Sequence, residues 1–287
     1  MRTVLRSATM LVSVLLIGLG VYGQEPVRYT LRYQPEVGSK CPTKLAGVLL
    51  DAAFQGQSLG VSGDVSADLV SEATERDEEA RTTTLKLTIG GIKANLNGQI
   101  SAPEAPAPLK LVVGETGSIV GVKSDEETSS AVSFLDTGGV PVVMVAMLAT
   151  TVRFPDEAVA VGESWEIEDT YVVPGLGEVP INTHWQLAAM EGAEAAITST
   201  AIAALPDFST PNPMVPGTRM DVKAGRAYIT DVKQVYDTAA SRVTKSEGKL
   251  RIDAQLDMQG MTVPVSLVMS FCVKPPERTD AEPAANP

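Results

Sequence analysis

Apolar and polar residues alternate with a period of two along most of the chain. In the clearest case, every second residue from Leu250 to Met258 is apolar, and a second alternating run extends from Val263 to Val273. A run of this kind gives a β-strand one dry face and one wet face. Gly260 separates the two runs, so the pattern predicts an antiparallel hairpin that turns near residues 259–261.

Shorter alternating runs recur elsewhere, and segments rich in Gly, Pro, Asp and Asn separate them. They predict further strands near residues 28–33, 84–89, 165–171, 181–187 and 195–205. The expected fold is mainly β (α+β), with curved antiparallel sheets made of two strand meanders around a short central helical segment.

The expected organisation is one β-rich domain over residues 24–274, whose meander halves are 24–154 and 155–274. The Pro-rich tail at 275–287 has little apolar surface to bury, so we predict that it is disordered.

The middle of the chain has a different pattern. Ser124 precedes three acidic residues, which is typical of a helix N-cap and first turn. Pro141 then begins a run that is apolar on all sides. A strand is the alternative for this run because it contains valines, but its length favours a buried helix that a sheet must surround.

This central run and the last hairpin contain methionines, whose flexible thioethers suit irregular apolar pockets. Core filling is the alternative use of such side chains. The residues predicted to line an apolar ligand pocket are Val143, Met144, Met147, Leu148, Met258 and Met269.

The first 23 residues resemble a signal peptide. Arg2 and Arg6 precede an apolar run from Met10 to Gly20, and Gly23 is a small residue suited to cleavage. An uncleaved anchor is the alternative. We therefore expect an exported protein, periplasmic or extracellular, with no transmembrane span after removal of the signal.

Charge narrows the set of partners. The 287-residue chain has 35 acidic and 23 basic residues, and the signal contains two of the basic ones. An excess of negative charge disfavours binding to nucleic-acid phosphates and to anionic lipid surfaces. The expected partner is a lipid or another apolar small molecule, with no nucleic acid.

Catalytic motifs are scarce. His184 is the single histidine and has no cysteine cluster beside it, so neither a metal site nor a cofactor is predicted. Ser164 does not lie in a nucleophile elbow, because a strand follows it. A carboxylate pair among Glu166, Glu168 and Asp169 remains open as a catalytic device, but we predict that the protein is not an enzyme.

The segment from Arg153 to Ile167 combines several architectural signals. Pro155 ends the central segment, Asp156 caps a turn, and Gly162 allows a tight turn before the strand that starts near Trp165. We predict that Trp165 is largely buried and anchors the second meander on the core.

The same residues resemble the signature PD-x-x-V-x-V-G-[DE]-S-W of a family of exported bacterial β-rich proteins of unknown function. The segment from Tyr236 to Gly248 is similar to the late hairpin of that family. The resemblance implies no catalytic residues. In outline, the expected architecture is also similar to periplasmic lipoprotein carriers, which is an analogy of fold.

Two cysteines, Cys41 and Cys272, lie near opposite ends of the chain. In an exported protein such a pair can form a disulfide. A bridge is expected if the sheet brings its first and last strands together, and two buried thiols are the alternative.

Two functions follow from these patterns. The first is a non-enzymatic exported protein that binds a lipid or other apolar ligand in a pocket under the curved sheet. The second is a structural or interaction module of the cell envelope with a filled core and no ligand.

Overall fold

The structure is a computed structural model that describes residues 26–102, 105, 107–124, 145–146, 149–173, 176–211, 219–258 and 261–276. Over these residues the chain forms sixteen β-strands, and its α-helical residues are Val145, Ala146, Ala149 and Thr150. The strands are β1 (Arg28–Tyr29), β2 (Lys40–Phe54), β3 (Gln57–Ser58), β4 (Gly63–Asp77), β5 (Thr82–Leu96), β6 (Gln99–Ser101), β7 (Leu109–Gly114), β8 (Ile119–Ser124), β9 (Val159–Ala160), β10 (Ser164–Val173), β11 (Gly177–Glu191), β12 (Glu194–Leu205), β13 (Phe208–Pro211), β14 (Arg219–Asp237), β15 (Arg242–Met258) and β16 (Met261–Lys274).

Fourteen of these strands form one antiparallel sheet. Eleven of them follow one another in the order β10-β11-β12-β14-β15-β16-β2-β4-β5-β7-β8, and three short strands pair at its sides. The short strands β13, β3 and β6 pair with β14, β2 and β5, and β1 forms a separate two-stranded sheet with β9. The mainly β, antiparallel fold class predicted from the alternation is confirmed.

The two meanders meet in the middle of this sheet. The last strand, β16, pairs with the first long strand, β2, from Val265 opposite Phe54 to Lys274 opposite Lys44. The outermost strands, β8 and β10, also approach each other. The sheet is therefore curved and nearly closed, and we call the gap between β8 and β10 the seam.

Alternation along the strands places the core on one face, which we call the inner face. On β11, for example, Val179, Ile181, Thr183, Trp185 and Leu187 are buried, whereas the residues that alternate with them are partly or fully exposed. Directly paired residues lie on the same face, so the buried positions continue from strand to strand across the sheet. Central residues pack into this core: Val145, Ala146, Ala149, Val152 and Phe154.

Some predicted elements differ in extent. The strand predicted over residues 28–33 ends at Tyr29, although Leu31 and Tyr33 remain buried in the core. The helix predicted after Ser124 lies outside the described residues, and Ser124 itself ends β8. The hairpin at the end of the chain is confirmed, since β15 ends at Met258 and β16 begins at Met261.

Within the described part of the chain, no helix has both the length and the apolar character needed to cross a membrane.

Candidate functional site

The Pro155–Trp165 motif holds the N-terminal segment. Its short strand β9 pairs with β1, and the Arg28 guanidinium lies 2.6 Å from Glu163 Oε1. Arg32 donates to the carbonyl oxygens of Pro155 and Asp156 at 3.2 and 2.7 Å. In this fold, the motif therefore connects the start of the domain to its middle.

Within this motif, Gly162 forms the tight turn and Trp165 packs partly against the core. Gly162 has φ +90°, where a side chain is disfavoured, and its N–H donates to the Leu187 carbonyl at 2.7 Å. Trp165 is partly buried against the core, which is less than predicted. The fully buried tryptophan is its cross-strand partner, Trp185.

Residues 149–154 form a strap that enters the interior from one end of the sheet. Gln234 on β14 is buried and its Nε2 donates to the carbonyl oxygens of Ala149 and Thr151 at 3.4 and 3.3 Å. The rings of Phe154 and Tyr236 pack edge to face with centroids 4.8 Å apart. The strap therefore fills the end of the interior near these residues, which we call the strap end.

The strap also bridges the seam. On one side, the Phe154 N–H donates to the Thr116 carbonyl at 2.8 Å, and Arg153 Nη1 donates to Thr116 Oγ1 at 3.3 Å. On the other side, Arg153 Nε lies 3.0 Å from Asp169 Oδ2, and Trp165 Nε1 donates to the Arg153 carbonyl at 2.8 Å. One short segment thus connects the β7–β8 turn to the opposite edge strand, β10.

Tyrosines near the strap are buried and remain protonated at neutral pH. Burial raises the pKa of Tyr171 to about 12; the Asp169 carboxylate adds to this shift, while Arg153 and the hydrogen bond with Thr151 oppose it. Burial also raises the pKa values of Tyr33 and Tyr236. The Tyr236 hydroxyl donates to the Arg32 carbonyl at 2.7 Å. The Tyr236 hydroxyl is therefore a structural hydrogen-bond donor.

The opposite end of the inner face is apolar and partly open. Leu49 and Phe54 on β2 are half-buried, although their cross-strand partners place them on the inner face. The neighbouring strands β4, β15 and β16 carry residues of the same kind. We call the whole set the mouth: Leu49, Phe54, Val65, Ile252, Leu256, Val265 and Leu267.

The mouth joins the buried core without interruption. Val65, Ile252 and Leu267 pack directly against core residues. Gly47 lies opposite Val65, and a Cβ at Gly47 would come within 2.8 Å of both Met269 Cε and Val65 Cγ1. The mouth is therefore the open continuation of the core, at the end of the sheet opposite the strap.

The predicted pocket residues are only partly described. Val143, Met144, Met147 and Leu148 lie outside the described residues. Met269 is a buried core residue on the inner face next to the mouth.

The backbone of Met258 ends β15 at the same end of the sheet. None of the seven mouth residues was predicted to line a pocket, because alternation shows the period of a strand but not which strands lie beside it.

Three open grooves lie on the outer face of the sheet and have a different character. A groove of about 750 Å³ crosses β11 to β16 and includes Asp231 and Lys249, whose charged groups are 2.8 Å apart. The other two have volumes of about 830 and 510 Å³. Charged and hydrogen-bonding side chains line all three beside apolar ones such as Val232, Ile202 and Ala254, so none is the purely apolar pocket expected from the sequence.

His184 lies in the first of these grooves, where its Nδ1 is 3.5 Å from Glu166 Oε1. Both side chains are exposed. Among the described residues, no three His, Cys, Asp or Glu side chains come together in a way that could hold a metal ion.

The predicted disulfide between Cys41 and Cys272 is wrong, because both cysteines are free. The first and last long strands do pair, as the prediction required, but Cys272 is opposite Ala46. Ala46 is five residues from Cys41 along β2, roughly 16 Å in an extended strand. Cys41 also shares the inner face with Leu45, whereas Cys272 lines the outer groove.

No family model and no curated protein matches this chain. Among solved structures, the chain is similar to a DUF1329 family protein from Desulfovibrio piger, with 8% sequence identity. The match covers 85% of this chain and 88% of that chain, with a TM-score of 0.16. A TM-score this low carries no argument, so the proposals below rest on the geometry of this chain.

Proposed function

We propose that this protein is an exported, non-enzymatic protein that binds a lipid or another apolar ligand under its curved sheet, at the mouth. The observation that supports this is the mouth itself. It is a set of apolar side chains on four adjacent strands, facing inward and yet partly exposed to solvent. Leaving such a surface in water is unfavourable, and an apolar ligand would cover it.

The chemistry of the mouth favours an acyl chain over a polar ligand. Its side chains are Leu, Ile, Val and Phe, which offer contact area without hydrogen-bonding groups. Each methylene that a ligand buries there contributes about 0.8 kcal/mol. A chain of some ten methylenes could therefore offset the entropic cost of binding.

The absence of an enzymatic role is part of the proposal. The described ion pairs hold Arg153 with Asp169 and Lys223 with Asp257, which are arrangements that support the sheet. Export rests on the basic and apolar pattern of residues 1–23.

A structural or interaction module is the second candidate. It is supported by the strap end, where Val145, Ala149, Val152 and Phe154 are almost completely buried. A protein whose interior is filled by its own chain needs no ligand there.

Native mass spectrometry of protein purified gently from its own cell envelope distinguishes the two candidates. A lipid-binding protein is expected to retain an additional mass in the range of a fatty acid or phospholipid. Repeated detection of the bare chain alone, together with no uptake of a fluorescent palmitate analogue, would contradict ligand binding and favour the structural module.

A pair of variants tests whether the ligand binds at the mouth. Leu49→Ser with Leu267→Ser introduces hydroxyls into the mouth and should weaken binding of the palmitate analogue at least about tenfold. The matched control is Val120→Ser, which changes an exposed valine on the outer face. Equal affinity in both proteins would place the ligand elsewhere.

A further inference from the structure

The inner face of β16 changes from buried to half-buried at Met269. Val273, Phe271 and Met269 are 2, 4 and 7% exposed, whereas the next inner-face residues, Leu267 and Val265, are half-buried. Met269 is therefore the last buried residue on this side of the core, and the mouth begins directly beside it.

The cross-strand partners of Met269 continue this boundary onto the two neighbouring strands. Leu250 on β15 is buried, and Leu49 on β2 is half-buried. We call Leu250, Met269 and Leu49 the floor of the mouth. Methionine is unbranched and has a flexible thioether that adapts to irregular space, whereas leucine is branched. The floor therefore contains one adaptable side chain between two stiffer ones.

Gly47 provides the space into which Met269 extends. It lies at the next inner-face position of β2 towards the core, opposite Phe271 and Val65. Its φ is outside the left-handed region, so its backbone does not require glycine. A Cβ at this position would come within 2.8 Å of both Met269 Cε and Val65 Cγ1. The terminal methyl group of Met269 therefore occupies the place that a side chain at position 47 would take.

The chemistry of the floor suits the methyl end of an acyl chain. The side chains of the floor and of the adjoining Phe271 have no hydrogen-bonding N–H or O–H group, so a carboxylate placed there would lose its hydrogen bonds with water without replacement. The polar end of the ligand therefore stays at the open side, near Leu256, which is roughly 20 Å along β15 from Leu250. A distance of this size fits a long acyl chain.

From these observations we infer that Met269 is the depth stop of the mouth. A long-chain fatty acid enters with its methyl end first, and this end comes to rest against the Met269 thioether. Methylenes between the open side and Met269 are buried and add affinity, whereas any further methylenes remain in water. The inference rests on the proposed function, because it specifies the class of ligand at that site and the residue that selects its chain length.

A series of saturated fatty acids from octanoate to stearate tests the inference, by competition with the fluorescent palmitate analogue. For the unmodified chain, affinity should rise about fourfold with each methylene until the acid reaches Met269, and should then stay level. We call this chain length the break. Met269→Ala removes the thioether, so the break should move to acids that are longer by about two or three carbons. Met269→Leu keeps a similar volume and should leave the break within about one carbon of its original position.

Gly47→Ala should change the break in the opposite direction. The added methyl group displaces Met269 Cε towards the mouth, so the break should occur about one carbon earlier. Leu267→Ala is the matched control, because it removes apolar volume from the wall of the mouth and not from its floor. It should weaken binding without moving the break. Circular dichroism and thermal unfolding verify that each variant folds.

The Met269 methyl group gives a second reading in the unmodified protein. In protein with isotopically labelled methionine methyl groups, the resonance that Met269→Leu lacks belongs to Met269. This resonance should shift when an acid at or beyond the break is added, and it should stay in place with octanoate. Equal shifts with octanoate and palmitate would overturn the inference.

The positions of the break distinguish this inference from the proposed function. Affinity that rises without a break, a break that Met269→Ala leaves in place, or an equal movement of the break in Leu267→Ala would reject Met269 as the depth stop. Fatty acids still bind in each of these outcomes, so the lipid-binding function stands. Failure of the unmodified chain to bind any acid of the series would reject both.

Discussion

Arg153 Nε lies 3.0 Å from Asp169 Oδ2, and this ion pair joins the strap to the edge strand β10. Both side chains are largely buried. Since Arg153 also donates to Thr116 on the other side of the seam, the pair stabilises the nearly closed sheet at the seam.

Removal of this carboxylate should destabilise the fold. Asp169→Ala leaves a largely buried guanidinium without its counter-ion, so we expect the free energy of unfolding to fall by about 3 kcal/mol. Glu247→Ala is the matched control, because its partner Lys245 is exposed, and it should cost less than about 1 kcal/mol. Urea unfolding measures both; equal losses would mean that the seam pair contributes no more than a surface pair.

Close packing at Gly248 gives a second prediction. A Cβ at this position would lie 2.8 Å from Phe271 Cζ and 3.0 Å from Val232 Cγ2. Gly248→Ala should therefore lower the free energy of unfolding by about 1–3 kcal/mol. Gly90→Ala is the control on another strand, where a Cβ meets no atom within 4 Å, and it should be neutral or slightly stabilising. An unchanged free energy of unfolding in Gly248→Ala would show that the Phe271 ring shifts to accommodate the added methyl group.

Alternation predicted strands at the positions of β5, β10, β11, β12, β15 and β16, but not how these strands are arranged. The runs at 250–258 and 263–273 became β15 and β16 because each buries one face along its whole length. Residues 28–33 have the same alternation, yet strand pairing ends at Tyr29, since Arg32 bonds to Pro155 and Asp156 and Tyr33 bonds to the β7–β8 turn instead.

Register explains why the mouth residues were not predicted to line the pocket. Met269 was correctly placed on an apolar face, but Leu49 and Val65 join the same region because β16 pairs with β2 and β2 pairs with β4. The first of these pairings connects residues more than 200 positions apart in sequence, and nothing in a local pattern specifies the register of either one. The same limit applies to Cys41 and Cys272. The sequence allowed the first and last long strands to be adjacent, but not the register that places Cys272 opposite Ala46.

The two thiols give a third prediction. Unreduced protein in denaturant should show two free thiols per chain. In the folded protein, Cys272 should react faster with a disulfide reagent because it lines the open outer groove. The Cys41 thiol donates to the Val243 carbonyl at 3.8 Å. Burial raises the pKa of this thiol, although Arg242 opposes the shift. The reactive thiolate form of Cys41 is therefore scarcer, and Cys41 should react more slowly.

Cys41→Ser and Cys272→Ser assign the two reaction phases, since each variant should lack one phase. Neither should lose the roughly 5 kcal/mol that opening a disulfide around so long a loop would cost. A single phase that is absent in both variants, or no free thiol in the denatured chain, would contradict the structure.

The raised pKa of Tyr171 predicts how the stability of the folded protein changes at alkaline pH. Its pKa is about 12 in the folded protein, against an ordinary value of 10.0 that applies in the unfolded chain. The folded state therefore holds the phenolic proton more tightly, so this stabilisation is complete below pH 10 and is lost as the pH rises from 10 to 12. In that window each such tyrosine lowers the free energy of unfolding by about 1.4 kcal/mol per pH unit.

Tyr171→Phe tests this dependence. The variant should be less stable at pH 8, because it loses the hydrogen bond with Thr151, yet its stability should fall less steeply between pH 10 and 12. Tyr33 and Tyr236, whose pKa values burial also raises, keep some of the slope in the variant. Urea midpoints measured at pH 8, 10 and 11 give both quantities. An unchanged slope would mean that the Tyr171 hydroxyl ionises as readily in the folded protein as in the unfolded chain.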